Sequence, residues 1–542
     1  MNIFQRKPLD ILLMESKEEG AHTLKKTLGS YKLIALGLGA IIGAGLFSIT
    51  GIAAGTYAGP SITISFLIAA AGCCFAGLCY AEFASMLPIA GSAYTYSYAT
   101  LGEFIAWVIG WDLVLEYAVG ALTVSISFSG YLVKFLHDFG IDLPQMLIAC
   151  PADGGFINLP AALIVICLSF LLISGTEGSS RFNSIMVVLK VAVVITFIVV
   201  GWQFIKTDNY TPYIPENTGE WGKFGFSGIV RAAAIVFFAF IGFDAVSTAA
   251  QEAKNPRRNM PIGILGSLFI CTILYILFSH VLTGVANYTE FQGREGIAPV
   301  AIAIDNMGPV VDGVVKPAFP MLNKAIVLAI LAGYSSVILV MLLGQSRVFY
   351  SMSRDGLLPK LFSQVHPRFR TPYKCNILFL CIVSVLAMFV PARVAGELTS
   401  IGTLFAFIIV CTGVWVMRRR MPDAPRAFKT PWVPVVPILG IAICLFMMVF
   451  LPFDTWVRLI LWMLIGHDIY FFYGSKHSKL GSKKANRPLS LIGCGISLFL
   501  AGFAILHQSN IGWNDSFYFT LFLLAVSALH FVLFLIRFFK KA

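Results

Sequence analysis

The sequence predicts an all-helical integral membrane protein, and three observations support this fold class. Of the 542 residues, 58% are hydrophobic and only 12% are charged, and the mean hydropathy is +0.83. Long apolar runs recur along the chain, and basic residues are concentrated in alternate connections between those runs. A soluble chain of this length would form several domains with roughly twice this share of charged residues. Too few polar side chains remain here to cover several water-soluble cores.

Fourteen apolar runs are candidate spanning helices. A helix that crosses a membrane needs about 20 mainly apolar residues. The candidates are residues 31–56, 61–87, 103–135, 158–175, 184–205, 228–249, 260–286, 322–348, 376–391, 396–417, 434–451, 455–474, 489–507 and 516–538. The sequence therefore predicts fourteen spans, of which the first is rich in glycine and the ninth is short.

The charge distribution predicts the orientation of these spans. The net charge is +12, from 39 Lys and Arg against 27 Asp and Glu. The basic connections contain Lys25 and Lys26; Lys254, Arg257 and Arg258; Arg354, Lys360, Arg368 and Arg370; Arg418, Arg419 and Arg420; and Lys476, Lys479, Lys483 and Lys484. Residues 56–60, 452–454 and 507–514 contain no Lys or Arg. Because cytoplasmic loops carry such an excess, we expect both termini in the cytoplasm and no nucleic-acid partner. The compact connections favour a bacterial inner (plasma) membrane.

The cysteines and histidines give no sign of a metal site or of catalysis. The 11 cysteines include no CxxC pair and no Cys/His cluster, so neither a zinc site nor a disulfide framework is expected. No HExxH or GxSxG pattern occurs, and the eight histidines are scattered along the chain. The sequence therefore predicts a protein that is not an enzyme and that uses no metal or other cofactor.

Two spans are interrupted at matching positions. The first contains Gly37, Gly39, Gly43 and Gly45, and the sixth contains a glycine and an acid at 242–244. Glycine destabilises a helix by about 1 kcal/mol relative to alanine, although the first span also fits close packing of small residues in a GxxxG register. Interrupted helices at equivalent positions of two halves indicate a binding site at the membrane midplane of an inverted-repeat transporter.

The repeat divides the chain into five parts. The predicted parts are an N-terminal cytoplasmic segment at 1–30, a first five-helix repeat at 31–205, a second at 228–417, four further helices at 434–538 and a C-terminal end at 539–542.

Each interruption would expose free N–H groups at one helix end and free carbonyls at another. An amino acid zwitterion requires both kinds of group side by side. We expect its carboxylate to bind the backbone N–H groups of Gly43, Ala44 and Gly45. We expect its ammonium to bind the backbone carbonyls of Ile41, Phe238, Ala239 and Ile241. The predicted ligand is therefore an L-amino acid, recognised through the part common to all amino acids.

Several motifs, in order along the chain, resemble those of the amino acid–polyamine–organocation superfamily. They are GAIIGAGLF at 39–47, YAEF at 80–83, PIAGSAYTYSY at 88–98, WDLVLEY at 111–117, FIGFDAVST at 240–248 and SRDGLLP at 353–359. The last three are similar to the cationic amino acid transporter branch, including its bacterial members. The resemblance implies a LeuT-like 5+5 inverted-repeat fold with about four additional C-terminal helices. It also implies secondary transport of amino acids by alternating access, and it leaves open a small membrane accessory subunit.

Lys190 is a charged residue within the fifth apolar run. In sodium-coupled proteins of the implied fold, a sodium ion lies between the first and eighth spans near the fifth, and in proton-coupled relatives a fifth-span lysine takes that place. The resemblance therefore implies that Lys190 carries the coupling proton. The alternative is a lysine that reaches the membrane surface, because Arg181 lies about two turns away.

Three acidic residues have two readings each. Glu116, one turn after Asp112, lies near the substrate or in a proton path according to the resemblance; it could equally be a structural carboxylate. Asp244 is expected to cap the second half of the sixth span rather than to bind substrate. Glu82 is expected to be a cytoplasmic gate or a packing acid.

Selectivity for the side chain is expected to come from Phe240 and Met341. Phe240 would close over the substrate, and Met341 would lie at the floor of the pocket according to the resemblance. A thioether offers nothing to a guanidinium and fills the space that a long chain needs. We therefore expect neutral, small-to-medium amino acids, imported by proton symport. An exchanger, a uniporter for cationic amino acids and a non-transporting sensor remain open alternatives.

Overall fold

The computed structural model of the chain consists mainly of helices. It describes residues 5–8, 10–12, 14, 28–89, 91–174, 176–248, 250, 253–292, 299–311, 314–315, 318–367, 369, 371–480, 486–511 and 517–539. The helices of these residues are α1 (Ser30–Ile41), α2 (Thr50–Ala53), α3 (Ile62–Met86), α4 (Ser92–Thr100), α5 (Glu103–His137), α6 (Leu159–Ile173), α7 (Thr176–Gly201), α8 (Gly225–Val236), α9 (Ala245–Thr248), α10 (Pro256–Val285), α11 (Pro299–Asp305), α12 (Pro320–Arg354), α13 (Tyr373–Phe389), α14 (Ala392–Arg420), α15 (Val435–Val449), α16 (Phe453–Ile469), α17 (Ser475–His477), α18 (Asn486–Ile511) and α19 (Phe517–Phe539).

Short irregular elements complete the described chain. The π-helical turns are Gly45–Ile49, Ala54–Ala58 and Tyr470–Gly474, and the first two flank α2 to form one continuous helical stretch. A small antiparallel hairpin pairs β1 (Val310–Val311) with β2 (Val314–Val315). The 3₁₀ segments include Phe237–Phe240, which continues α8.

Nine helical stretches of the described residues are long and apolar enough to cross a membrane. They are Gly45–Met86, Glu103–His137, Asn183–Phe204, Gly225–Thr248, Pro256–Val285, Asn323–Arg354, Ser400–Arg420, Arg487–Leu506 and Thr520–Phe539. Shorter apolar helices are α1, α6, α13 and α15. Every one of the fourteen predicted runs overlaps a helix, but the count of fourteen spans is not established. The predicted first span, for example, is split between α1 and the stretch that runs on into α3.

The central helices are those that carry the predicted site. In the apolar windows of α5 and of Gly225–Thr248, 89% of the residues are buried within the protein. In the window of α19 only 17% are buried, so its apolar side chains face outward. A helix that is apolar on all sides suits a lipid environment. The core therefore lies around α5, α8 and α12, and α19 lies at the periphery.

Stacked tryptophans attach α16 to α5. The rings of Trp111 and Trp462 stack with centroids 4.4 Å apart, and each indole N–H donates to the other residue's carbonyl, at 2.9 and 3.0 Å. Trp107 donates to the carbonyl of Gly466 at 2.9 Å. Gly466 has no room for a β-carbon, which would lie 2.3 Å from the Trp111 ring. Directional bonds and close packing thus fix one of the later helices to the core.

Glu82 joins α3 to the end of α14 and to the segment that follows it. The side chain of Glu82 is fully buried. Arg418 donates from Nε and Nη2 to its two carboxylate oxygens, at 2.8 and 2.9 Å. The Nε of Arg426 lies 3.1 Å from Oε1, and the N–H of Thr430 donates to Oε2 at 2.8 Å. Glu82 is therefore a structural ion-pair residue, and a role in gating stays a prediction.

Replacing Glu82 with glutamine is expected to destabilise the protein by about 3 kcal/mol. Removing one partner of a buried ion pair leaves an uncompensated charge, here on two arginines. Thermal unfolding of the purified full chain in detergent measures the change. The exposed Glu216 provides the control, and Glu216→Gln should leave the melting temperature unchanged. Equal effects of both substitutions would contradict the prediction.

Candidate functional site

The first broken helix changes direction at Ile42 and Gly43. α1 ends at Ile41, and Ile42 has an extended backbone with φ −72° and ψ 108°. Helical structure resumes at Ala44, where the N–H groups of Leu46 and Phe47 both donate to the carbonyl of Gly43, at 3.1 Å. N–H groups in the first turn of a helix have no partner within that helix. The predicted amides of residues 43–45 therefore lie at a helix start.

The second broken helix changes direction at Ile241 and Gly242. The 3₁₀ segment ends at Phe240, and Ile241 is extended with φ −60° and ψ 135°. Gly242 has φ +114°, a conformation that other residues rarely adopt. The helix resumes as α9 at Ala245. The predicted glycine is therefore required by the turn.

The two breaks pack directly against each other. A β-carbon on Gly45 would lie 2.3 Å from the Cα of Ala239, and one on Gly242 would lie 2.9 Å from the carbonyl carbon of Ala40. Both contacts are with backbone atoms, which no rotamer change can move aside. The structure therefore brings the predicted amides of the first break beside the predicted carbonyls of the second, with Ala44 and Ala239 each 1% exposed.

Tyr275 of α10 bridges the two breaks. Its hydroxyl lies 3.0 Å from the carbonyl oxygen of Ile41 and 2.9 Å from that of Ala239. These are two of the four carbonyls predicted to bind an ammonium group. A third, that of Phe238, accepts the N–H of Ile241 at 3.2 Å. Nothing in the sequence indicates this role of Tyr275, because tyrosine in an apolar run commonly packs in the core.

Lys190 of α7 points at the first break. Its amine donates to the carbonyls of Gly39 and Ile42, at 2.6 and 3.0 Å. Its stem packs against α12, where a β-carbon on Gly333 would lie 3.0 Å from Lys190 Cγ. The side chain is only 1% exposed, so it does not reach the membrane surface. The Lys190 side chain thus extends from α7 to a position between the first break and α12.

Three buried carboxylates lie on α5 and directly after the second break. Asp244 accepts the Tyr117 hydroxyl at 2.6 Å and the N–H of Gly242 at 3.2 Å. It therefore holds the turn before α9, and its role as the cap of α9 stays a prediction. Glu116 and Asp112 are buried on α5, and Thr403 of α14 is within hydrogen-bonding reach of Glu116. Glu116 precedes Tyr117 in the sequence, and the Tyr117 hydroxyl binds Asp244 beside the second break.

Phe240 and Met341 are both buried. The Phe240 ring packs against those of Phe66 and Tyr275, with centroids 6.2 and 5.2 Å away. Met341 is 3% exposed on α12. Three residues later, a β-carbon on Gly344 would lie 3.2 Å from the Tyr117 ring. Phe240 therefore covers the Tyr275 side of the breaks, and Met341 lies on the part of α12 next to α5.

Metal-binding clusters are absent from the residues that the structure describes: no group of three or more His, Cys, Asp or Glu side chains could hold an ion. All 11 cysteines are free thiols. The polar groups at the breaks include main-chain amides and carbonyls, the Lys190 amine, the Tyr117 and Tyr275 hydroxyls and the Asp244 carboxylate. Such an arrangement suits recognition of a charged solute rather than covalent chemistry.

Comparison with known proteins identifies the family. A family model described as amino acid permease matches residues 28–467. The chain is 46% identical over 484 residues to the branched-chain amino acid permease BcaP of Bacillus subtilis, covering 88% of this chain and 99% of that protein. It is 40% identical to the methylthioribose transporter of the same organism, with the same coverage. It is 30% identical to the vacuolar cationic amino acid transporter 4 of Arabidopsis thaliana, covering 89% of this chain and 97% of that protein. The chain therefore belongs to the amino acid permease family of the amino acid–polyamine–organocation superfamily.

Proposed function

We propose that the protein imports L-amino acids by proton symport with alternating access, and that it favours neutral, small-to-medium side chains. The observation that carries this proposal is the pairing of two broken helices with one buried amine. The amides at Gly43–Gly45 and the carbonyls at Ile41 and Ala239 meet in the protein interior. Lys190 binds two backbone carbonyls of the same first break.

The main-chain groups suit the two charged ends of an amino acid. Helix-start amides carry partial positive charge and attract a carboxylate. A carbonyl oxygen has two lone pairs, so Ile41 and Ala239 each retain an acceptor beside the bond from Tyr275. Because Gly45 and Ala239 are in contact, we place the ligand beside this contact, where it reaches groups of both breaks.

The Lys190 amine is the proposed link between proton and substrate. A charged amine forms stronger hydrogen bonds to carbonyls than a neutral amine does. Loss of the proton would weaken the bonds to Gly39 and Ile42 and release the backbone of the first break. The same backbone supplies the amides for the substrate carboxylate. Protonation of Lys190 and substrate binding would then both act on the backbone of the first break, so that each would change the free energy of the other.

Apolar side chains favour a neutral substrate. Phe66, Phe240 and Met341 offer rings and a thioether, and the acids Glu116 and Asp112 are the nearby groups that could attract a cationic side chain. The 46% identical relative is named for branched-chain amino acids, which supports valine, leucine and isoleucine as candidates. The 40% identical relative is named for methylthioribose, a neutral sugar thioether, so that compound is the second candidate substrate.

Uptake into proteoliposomes tests the proposal. Purified protein in empty vesicles should concentrate labelled leucine or alanine when the outside is more acidic than the inside, and a sodium gradient should not replace the proton gradient. Unlabelled valine and isoleucine should compete more strongly than arginine or methylthioribose. Uptake only into amino-acid-loaded vesicles would indicate an exchanger, and binding without uptake would indicate a sensor. Stronger competition by arginine than by alanine would overturn the preference for neutral side chains.

Replacing Tyr275 with phenylalanine is expected to destabilise the substrate-free protein more than the substrate-bound protein. The substitution removes the donor that bridges Ile41 and Ala239, at about 1–2 kcal/mol. A bound ammonium group would supply donors to the same carbonyls. The melting temperature should therefore fall without substrate and be largely restored by saturating substrate.

The control for this variant is Tyr31→Phe, because Tyr31 is 90% exposed. That substitution should leave the melting temperature unchanged with and without substrate. If Tyr275→Phe lowered the melting temperature equally in both conditions, the ammonium would not bind at these carbonyls.

A further inference from the structure

A cavity of about 640 Å³ lies beside the first turns of α10, away from the two breaks. Arg257 and Arg258 form its basic part. Ile262 and Leu265 of α10, together with Phe428 from the segment before α15, form its apolar part. The cavity is thus built from two separate parts of the chain and combines cationic and apolar walls.

The two arginines are available to a ligand. Both are exposed, and neither guanidinium forms an ion pair or a hydrogen bond within the described residues. Residues 253–262 contain three cationic residues and no acidic residue. Arg426, from the segment that also supplies Phe428, is turned inward to Glu82. A planar guanidinium binds phosphate through two parallel hydrogen bonds, so a pair of them favours an anionic phosphate group.

The apolar part of the cavity continues along the outside of α10. Ile262 is 40% exposed, and Phe269 and Ile273 farther along the same helix are 68% and 44% exposed. Offsets of seven and eleven residues place these three side chains on one face of a helix. An exposed apolar face on a spanning helix contacts acyl chains. A free phosphate ion would use only the arginines and leave this face without a role.

We propose that this cavity binds the headgroup of an anionic phospholipid. The phosphate lies between Arg257 and Arg258, and an acyl chain follows the face marked by Ile262, Phe269 and Ile273. The arginines then lie at the membrane surface that carries the basic connections, where anionic lipids attract clustered Lys and Arg. Glycines 263 and 266 of α10 approach Leu33 and Ile34 of α1, so the bound lipid rests on a helix that packs against the first half of the first broken helix.

Native mass spectrometry of the detergent-purified full chain tests the proposal. The probes are phosphatidylglycerol and phosphatidylcholine with identical acyl chains. The unmodified protein should retain phosphatidylglycerol preferentially. The double variant Arg257→Gln/Arg258→Gln should retain it roughly tenfold less strongly or worse, because each cation near the surface contributes to binding. Ala427→Trp, which fills the cavity without changing charge, should also weaken retention.

The matched control is Lys476→Gln/Lys479→Gln, which removes two exposed cations from another basic connection. It should retain phosphatidylglycerol as the unmodified protein does, and all variants should still transport substrate in vesicles, which shows that they fold. An equal loss in the control would mean nonspecific attraction to the basic surface and would overturn the proposal. Complete displacement of the lipid by inorganic phosphate would also overturn it, because the site would then recognise free phosphate.

Discussion

Replacing Lys190 with alanine is expected to reduce proton-driven accumulation of amino acid to the level of protein-free vesicles. The amine is the donor to the carbonyls of Gly39 and Ile42, at 2.6 and 3.0 Å, and it is buried where water cannot replace it. Truncation removes both the titratable group and the two bonds. The amides of the first break that we propose to bind the substrate would remain, but the group proposed to couple protonation to them would be lost.

A second variant tests the loss of the titratable proton separately from the loss of the two hydrogen bonds. Lys190→Gln keeps an N–H donor, on a side chain one atom shorter, and cannot change its charge. We expect Lys190→Gln to catalyse exchange of labelled for unlabelled amino acid across the vesicle membrane, and to lose the response to a pH gradient. In the unmodified protein, accumulation should rise as the outside becomes more acidic than the inside. This direction follows from the proposed symport, in which the proton enters with the substrate.

The control for both substitutions is Lys206→Ala. Lys206 is exposed beyond the end of α7, so its loss should leave accumulation unchanged. Full pH-dependent accumulation by Lys190→Ala would remove Lys190 from the coupling mechanism. Accumulation by the unmodified protein that follows a sodium gradient instead of a proton gradient would do the same.

The sequence predicted the helical fold and the two breaks because these depend on local properties. Gly43, Gly45 and Gly242 interrupt apolar runs, and glycine supplies the close approach or the positive φ that each break needs. Lys190 was identified because a charge in an apolar run is rare. The family resemblance then placed it beside the first break, which the structure also does.

The features that the sequence missed depend on long-range packing. Tyr275 and Tyr117 are ordinary aromatic residues of apolar helices, and only the fold brings their hydroxyls to Ile41, Ala239 and Asp244. Asp244 illustrates the same limit. Its position just before α9 predicts a helix cap, but nothing in the sequence indicates the tertiary contact with Tyr117.

Replacing Gly45 with alanine is expected to reduce substrate affinity by roughly a hundredfold. The new β-carbon would lie 2.3 Å from the Cα of Ala239 and 2.7 Å from its nitrogen, so the backbone of one break must move away from the other. Overpacking of this kind costs about 1–3 kcal/mol, and the upper value corresponds to about a hundredfold change in affinity. Binding of labelled amino acid to the purified protein measures the effect.

Two other glycines turn this prediction into a graded test. A β-carbon on Gly43 would meet the Cγ2 atom of Val337 at 2.8 Å, a side-chain atom that can rotate away, so Gly43→Ala should weaken binding less than Gly45→Ala. A β-carbon on Gly502 of α18 would meet nothing within 4 Å, so Gly502→Ala should bind substrate like the unmodified protein. The expected order of loss is Gly45, then Gly43, then Gly502. This order reflects how easily the atoms next to each new methyl group can move. Normal binding by Gly45→Ala would mean that the two breaks do not need to be in contact for substrate recognition.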